Sequence, residues 1–224
     1  MKPSVQANHM VLGQLYTNAI NDKRVLQAMV DVPRELFLPE GLRGSAYVDE
    51  DLPLGKDRYM LEPLSAARLI AYADISESSR VMVIGVYNGY VAALAAKIAH
   101  HVVATDTDTT ALESAKVNLE KLSLSNVNLQ TVKSLADGYA LSAPYDAIII
   151  AGAVEFIPES LASQLSIHGR LTAIRNVASR PGMQGGLGKG VIVTRAAGQL
   201  QHRDIFDAST PLLPGFKSQP AFSL

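Results

Sequence analysis

Residues 81–106 read VMVIGVYNGYVAALAAKIAHHVVATD, and this stretch decides the fold class. Residues 81–84 form a short apolar run that ends at Gly85, as expected of a strand buried on both faces of a parallel sheet. The apolar side chains that follow recur at helical spacing, and residues 101–105 form a second short strand that ends at Asp106. Strand, helix and strand in this order predict a βαβ unit with a right-handed crossover.

The same alternation continues toward the C-terminus. We expect a helix over residues 109–122 and strands over residues 127–132 and 145–150. Residues 191–195 and 199–206 are strand-like runs joined through Ala197-Gly198, which predicts an antiparallel hairpin. The sequence therefore predicts an α/β protein with a doubly wound parallel sheet and an antiparallel hairpin at its C-terminal end.

The N-terminal part has a different pattern. Residues 9–31 read as two helices, the second beginning at Asn21 or Asp22, and residues 32–55 are rich in proline and glycine, which is typical of ordered loop. Another helix begins near Leu61. The length of 224 residues suits one domain, residues 1–224, in which residues 1–60 form an extension of helices and loop that covers the site and residues 61–224 form the αβ core.

Composition narrows the classes of function. Lys and Arg total 20 and Asp and Glu total 21, so the net charge of −1 provides no surplus for nucleic acid or an anionic membrane. The chain has no cysteine, and no two of its five histidines have the spacing that places two metal ligands on one helix face, so we predict no metal. The first ten residues have no apolar stretch after Lys2, so we expect no secretory signal there, and the longest apolar run, residues 147–154, is far shorter than the roughly 20 residues that cross a bilayer. We expect a cytoplasmic protein.

A candidate cofactor site lies where the first strand turns into its helix. Gly85 allows close approach of the backbone, Gly89 allows tight packing, and Asp106 follows 21 residues after Gly85, where a carboxylate can accept both hydroxyls of a ribose. Each feature alone is common in α/β proteins, but their joint spacing favours a nucleoside pocket. Because Tyr87 stands where the dinucleotide fingerprint has its second glycine, S-adenosylmethionine is favoured over NAD or FAD.

Longer segments carry a family resemblance. The segments are VPRELFLPEGLRGSAYVDEDLPLG, the dipeptide EP at residues 62–63, VMVIGVYNGYVAALAA, HVVATD, APYDAIIIAGA and IPESLASQLSIHGRL. In this order, from about residue 22 to about residue 206, they resemble the protein-L-isoaspartate O-methyltransferases. The resemblance implies a seven-stranded, Rossmann-like methyltransferase sheet and S-adenosylmethionine as cofactor, with S-adenosylhomocysteine as product. It also implies protein repair by methyl transfer to the carboxylate of a damaged aspartyl residue in a protein or peptide substrate.

The resemblance also assigns site residues. It places the cofactor at Gly85, Val86, Tyr87, Gly89, Asp106, Thr107, Ser134 and Leu135. Part of the substrate pocket falls at Gly152, Ala153 and Glu155.

The substrate motif departs from the family pattern. The family has a Thr and a Ser two positions apart just before the EP dipeptide, and here Tyr59 and Leu61 take those places. A carboxylate is ionised near neutral pH and needs no general base, so catalysis amounts to positioning. Arg58 could hold the carboxylate through two parallel N–H donors and Tyr59 keeps one hydroxyl, which makes these two the catalytic candidates. The alternative is that Arg58 pairs with Asp57 or Glu62 and that Tyr59 packs under the loop.

The cofactor turn departs as well. The glycine-rich turn of the family contains Tyr87, and the Asp-Gly pair that reaches the adenine is Ser134-Leu135 here. A left-handed Tyr87 costs about 1 to 3 kcal/mol of strain, which two bonds from Asp106 to a ribose, at about 1.5 to 3 kcal/mol each, could offset. A phenol ring inside the ribose or methionine space would have no such compensation. Both cases stay open.

Four functions follow in order of preference. The first is methyl transfer to isoaspartyl residues, the second is methyl transfer to another substrate, and the third is a binding or regulatory protein that keeps the scaffold without the chemistry. An NAD-dependent oxidoreductase comes last, since its glycine spacing is missing. The C-terminal PLLPGFKSQPAF contains Phe216 and either packs against the hairpin, which is favoured, or closes a groove or contacts a second subunit, so a homo-oligomer stays open.

Overall fold

A seven-stranded sheet forms the centre of the molecule. The computed structural model describes residues 4–178, 187–196 and 199–217. The strands of this sheet are β3 (Arg80–Ile84), β4 (His101–Asp106), β5 (Val127–Thr131), β6 (Tyr145–Val154), β7 (Leu165–Ala178), β8 (Leu187–Ala196) and β9 (Gln199–Ala208). Their order across the sheet is β5-β4-β3-β6-β7-β8-β9. Strands β3 to β7 are mutually parallel, while β8 and β9 run antiparallel to their neighbours.

The register of this sheet explains why residues 81–84 of β3 are all apolar. Val81 lies opposite Val102 on β4 and Ala147 on β6. Alternate side chains of β3 enter two different cores, since Val81 belongs to one buried cluster and Met82 to the other. A strand covered on both faces cannot alternate apolar with polar residues, and the predicted doubly wound sheet is confirmed.

Helices cover both faces of the sheet. The helices are α1 (Val5–Met10), α2 (Lys23–Asp31), α3 (Pro63–Ala73), α4 (Tyr90–Ala96), α5 (Thr109–Lys121) and the single turn α6 (Glu159–Ala162). The Asp22 side chain accepts a hydrogen bond from the Arg24 N–H and so caps α2, as the sequence pattern predicts. No helix in the described part of the chain is both long and apolar enough to span a membrane.

The N-terminal extension contains a small second sheet that the sequence did not predict. β1 (Leu52–Gly55) and β2 (Arg58–Met60) pair antiparallel, so the predicted loop instead ends in a hairpin. Its tip has positive φ angles at Gly55, Lys56 and Asp57. Left-handed backbone at the tip gives a turn whose twist suits two antiparallel strands, although only the first of these residues is a glycine. We call residues 52–60 the cover hairpin.

The C-terminal antiparallel pair confirms the predicted hairpin. β8 pairs with β9 from Gly188 opposite Ala208 to Ala196 opposite Gln199. Its expected turn at Ala197-Gly198 lies outside the described residues. After β9 the chain returns to the main sheet, where Leu212 forms a parallel bridge with Ala153 at the end of β6.

Candidate cofactor and active site

The candidate site lies at the carboxyl ends of β3, β4 and β6, where the strand order reverses. In doubly wound sheets a ligand binds in the crevice at this switch point. Gly85 follows β3, Asp106 ends β4, and Gly152 lies near the end of β6. These three predicted site residues are therefore brought to one crevice.

The turn after β3 is tightly wound. The N–H groups of Gly85 and Val86 both donate to the carbonyl oxygen of Thr105, at 3.0 and 3.3 Å. Gly89 has φ +92° and precedes α4, and a Cβ atom there would lie 3.1 Å from the Cβ of Ala115 on α5. Glycine is thus required at residue 89 both by its backbone angle and by the close packing of the two helices.

Tyr87 adopts a backbone conformation that is rare for its residue type. Its φ is +37°, in the left-handed region. Its N–H donates to Asp106 Oδ2 at 2.9 Å, and its ring lies 4.9 Å from the guanidinium carbon of Arg58. The backbone strain considered in the sequence analysis is therefore present at Tyr87. The Tyr87 ring packs against the guanidinium of Arg58, a cation of the protein itself.

Asp106 is fully buried and accepts five hydrogen bonds. Arg58 Nη1 and the N–H groups of Thr107 and Asp108 donate to Oδ1, at 3.1, 2.8 and 3.2 Å. Arg58 Nη2 and the Tyr87 N–H donate to Oδ2, at 2.7 and 2.9 Å. A carboxylate offers about four lone-pair positions. Five donors therefore saturate the acceptor capacity of Asp106.

Arg58 is the unexpected occupant of the crevice. The sequence offered two partners for it, a substrate carboxylate or a neighbouring acid, Asp57 or Glu62. Instead the side chain, which is only 5% exposed, forms a two-point ion pair with Asp106 from the other side of the crevice. Its Nη2 would lie 3.4 Å from a Cβ placed on Gly85, so the guanidinium stands directly over the glycine turn.

Leu213 fills the remaining space beside the guanidinium. A Cβ on Gly85 would lie 3.0 Å from Leu213 Cδ1, and a Cβ on Gly152 would lie 2.5 Å from Leu213 Cγ. The Leu213 N–H donates to the Ala153 carbonyl at 2.8 Å, and the Glu155 N–H donates to the Phe216 carbonyl at 3.0 Å. Gly152, Ala153 and Glu155, the predicted substrate residues, are thus lined by the C-terminal segment of the chain.

The C-terminal segment is linked to the residue that precedes the cover hairpin. The hydroxyl of Thr210, a buried residue, hydrogen-bonds to the carboxylate of Asp51, which also accepts the Glu62 N–H at 2.7 Å. Burial raises the pKa of Asp51 above its ordinary value, and burial likewise raises the pKa of Glu62. The cover hairpin and the C-terminal segment are therefore linked through one partly buried carboxyl group.

The other predicted residues lie around this centre. Ser134 caps a short helical turn over Leu135–Asp137, and its hydroxyl would lie 3.8 Å from a Cβ on Gly215 in the C-terminal segment. Leu135 is fully buried in the core, and Thr107 is exposed. On the cover hairpin Tyr59 is half-buried, and Leu61, which replaces the expected Ser, is buried with its carbonyl bound to Arg34 Nη2 at 2.9 Å.

These residues do not fit an adenosyl group in the present arrangement. Ribose hydroxyls need free acceptors on Asp106, but its lone pairs are already used by Arg58 and three backbone N–H groups. The space over Gly85 and Gly152 is filled by Arg58 and Leu213. Sequence reasoning missed Leu213, Thr210 and Asp51, and no local pattern marks them, because each acts through contacts far along the chain.

Comparison with known proteins assigns the family. Residues 6–179 match the family model for Protein-L-isoaspartate(D-aspartate) O-methyltransferase (PCMT). A protein-L-isoaspartate O-methyltransferase of Rhodopseudomonas palustris is 37% identical over 162 residues, which cover 72% of this chain and 74% of that protein. The protein of the same name from Methanoculleus marisnigri is 36% identical over 168 residues, covering 75% of this chain and 76% of that protein.

A solved structure agrees on the fold. A protein-L-isoaspartate O-methyltransferase structure superposes with a TM-score of 0.79 at 22% identity, covering 93% of this chain and 66% of that one. The sequence matches over most of the chain, together with this common fold, establish the relationship. The chain belongs to the protein-L-isoaspartate(D-aspartate) O-methyltransferase family.

Proposed function

We propose that this protein is an S-adenosylmethionine-dependent methyltransferase that acts on the carboxylate of a damaged aspartyl residue in a protein or peptide. The observation that carries the proposal is the family match over residues 6–179, which spans both the cover hairpin and the crevice. Its retained feature is Asp106, which stands at the end of β4 against the turn that begins at Gly85. An adenosyl site in this fold uses both the carboxylate at the end of β4 and the turn after β3.

The reaction asks little of acid–base chemistry. S-adenosylmethionine supplies an activated methyl group when it is bound, and the accepting carboxylate is already ionised near neutral pH. The protein's task is to hold the substrate and to exclude water. Tyr59 is the proposed positioning donor on the substrate side, and Gly152, Ala153 and Glu155 are the proposed walls of that pocket, since they lie at the end of β6 beside the crevice.

The role of Arg58 differs from the one suggested by its sequence position. Both of its terminal nitrogens donate to Asp106, so the two parallel N–H donors expected to hold a substrate carboxylate are already engaged by a carboxylate of the protein itself. We therefore assign Arg58 to the cofactor side of the crevice. The proposed cofactor-binding residues are Gly85, Val86, Tyr87, Gly89, Asp106, Thr107, Ser134 and Leu135.

A direct assay tests the proposed activity. The protein is incubated with methyl-labelled S-adenosylmethionine and an isoaspartyl peptide, with a known protein-L-isoaspartate O-methyltransferase as the positive control. We expect a base-labile methyl ester on the peptide, and we expect Tyr59→Phe to lower its rate of formation while Tyr72→Phe, a change on α3, does not. Absence of the ester while the control enzyme is active would refute this function.

A second candidate function has one observation in its favour. The saturated Asp106 and the filled crevice suit a binding or regulatory homologue that no longer uses the cofactor. A related structure, described as a candidate protein-L-isoaspartate O-methyltransferase from Plasmodium falciparum, was solved in complex with S-adenosyl-L-homocysteine. Titration of this protein with the same compound separates the two candidates: the second requires no binding even at millimolar concentration.

The cellular setting is part of the proposal. We propose that the protein takes part in protein repair in the cytoplasm, which its lack of cysteine supports because such a chain is insensitive to the reducing conditions there. The near-zero net charge supports a protein or peptide partner rather than a nucleic acid.

A further inference from the structure

We propose that Arg58 is an internal competitor of the adenosyl cofactor: the cover hairpin closes the cofactor site by binding Asp106, and the cofactor binds only after this hairpin has moved away. The inference rests on the proposed function, since it concerns access to the same site. It adds to that function a gate formed by a side chain of the protein itself.

The first argument is the capacity of one carboxylate. Both oxygens of Asp106 are bound by Arg58, at 3.1 and 2.7 Å, and three backbone N–H groups take the remaining positions. The backbone donors belong to the fixed turns after β3 and β4, whereas Arg58 belongs to a separate hairpin. Ribose hydroxyls can therefore gain access to Asp106 only by replacing Arg58.

The second argument is steric. The guanidinium stands over Gly85, since its Nη2 would lie 3.4 Å from a Cβ at that residue. The Tyr87 ring packs against the other side of the guanidinium at 4.9 Å from its central carbon. A nucleoside on the Gly85 turn would occupy the same volume, so the two occupants exclude one another.

The third argument concerns mobility. The cover hairpin is a two-stranded sheet, and among the residues that the structure describes its strands pair with each other and not with the seven strands of the main sheet. Its tip, where Gly55, Lys56 and Asp57 have left-handed backbone, touches the loop after β4 through the exposed pair of Lys56 with Asp108. An isolated pair of strands is marginally stable by itself, so contacts of its side chains hold it in place: Leu52 and Met60 in the hydrophobic core, and Arg58 on Asp106.

Titration with S-adenosylhomocysteine tests the competition. Calorimetry is carried out on the full-length protein, on Arg58→Ala and on Lys56→Ala, which removes the exposed ion pair of the same hairpin. A site that is open for only a fraction of the time binds with an affinity reduced by that fraction. We expect Arg58→Ala to bind at least tenfold more tightly than the unmodified protein, and Lys56→Ala to bind within twofold of it.

Hydrogen exchange on the unmodified protein provides a second readout that needs no variant to fold. Saturating S-adenosylhomocysteine should speed exchange of the amides in residues 52–60 while it slows exchange in residues 85–89. Binding of equal strength by the unmodified protein and Arg58→Ala, with unchanged exchange in the cover hairpin, would overturn the gate and leave the proposed function intact. Binding by neither protein at millimolar concentration would overturn both, in favour of the non-catalytic candidate.

Discussion

Two ion pairs join the cover hairpin to the end of β4 and to the loop that follows it, and they differ in burial rather than in distance. Arg58 and Asp106 are 2.7 Å apart with side chains that are 5% and 0% exposed. Lys56 and Asp108 are 2.6 Å apart with side chains that are 68% and 21% exposed. Water can replace either member of the second pair, whereas the burial of the first pair keeps water away from both of its charges. The buried pair therefore contributes to the stability of the protein, whereas the exposed pair contributes very little.

The largest expected effect comes from breaking the buried pair at its acid. Asp106→Ala leaves the Arg58 guanidinium buried without its counter-charge, and loss of one partner of a buried ion pair typically costs about 3 to 5 kcal/mol. We expect a decrease of this size in the free energy of unfolding, measured in urea. Glu120→Ala, which removes the exposed partner of Lys116, is the matched control. A decrease no larger than that of the control would show that the crevice admits water freely.

Substitutions of Tyr87 test how the turn after β3, which contacts the buried pair, contributes to stability. Tyr87→Ala removes the ring from the guanidinium but keeps the left-handed strain, whereas Tyr87→Gly removes both. The strain of a non-glycine residue there is about 1 to 2 kcal/mol. We therefore expect the glycine variant to be the more stable of the two by about 1 kcal/mol in thermal unfolding, after the entropy cost of glycine is deducted. Equal stability would mean that the turn relaxes when the ring is lost.

Asp51 links the cover hairpin to the C-terminal segment, and its titration makes the free energy of unfolding depend on pH. Burial raises its pKa, so the folded protein binds this proton more tightly than the unfolded chain does. Its contribution to the free energy of unfolding is full below the unfolded pKa and is lost as the pH rises through the higher folded pKa. Glu62 acts in the same direction. We expect Asp51→Asn to reduce this loss of stability between acidic and neutral pH, with the free energy of unfolding measured in urea at each pH. If its dependence on pH is unchanged, groups other than Asp51 cause the loss.

The smallest effect should come from the exposed pair. Lys56→Ala removes a contact that solvent and salt screen, so we expect no measurable shift of the urea midpoint at physiological ionic strength. A midpoint shift as large as that of Asp106→Ala would erase the distinction between the two pairs. Asp108 is less suitable for this test, because its side chain also caps α5 through the N–H groups of Thr110 and Ala111.

Local sequence patterns predicted the elements of the main sheet, because each strand's own pattern of apolar residues reflects how its side chains are buried. The run over β3, the position of Asp106 at the end of β4 and the antiparallel pair of β8 and β9 all follow from local patterns, and the structure confirms them as fold elements. Gly89 could be read as a packing glycine for the same reason, since a helix begins directly after it.

The cover hairpin could not be read in this way. Its strands are four and three residues long, and proline and glycine residues make the segment resemble loop. The decisive contact joins Arg58 to a residue 48 positions away, and no local periodicity encodes such a pairing. Likewise, no local pattern places Phe216 at the end of β6, where it is fully buried because the C-terminal segment returns to that strand.

The hydrogen bond between Thr210 and Asp51 has a consequence for the order in which the molecule is completed. Thr210 and Leu213 follow the last strand of the main sheet, so Asp51 and Gly152 gain these partners only after every strand has been synthesised. A chain that ends before residue 210 would therefore contain all the strands of the sheet, and its crevice would hold Arg58 without the leucine beside Gly152.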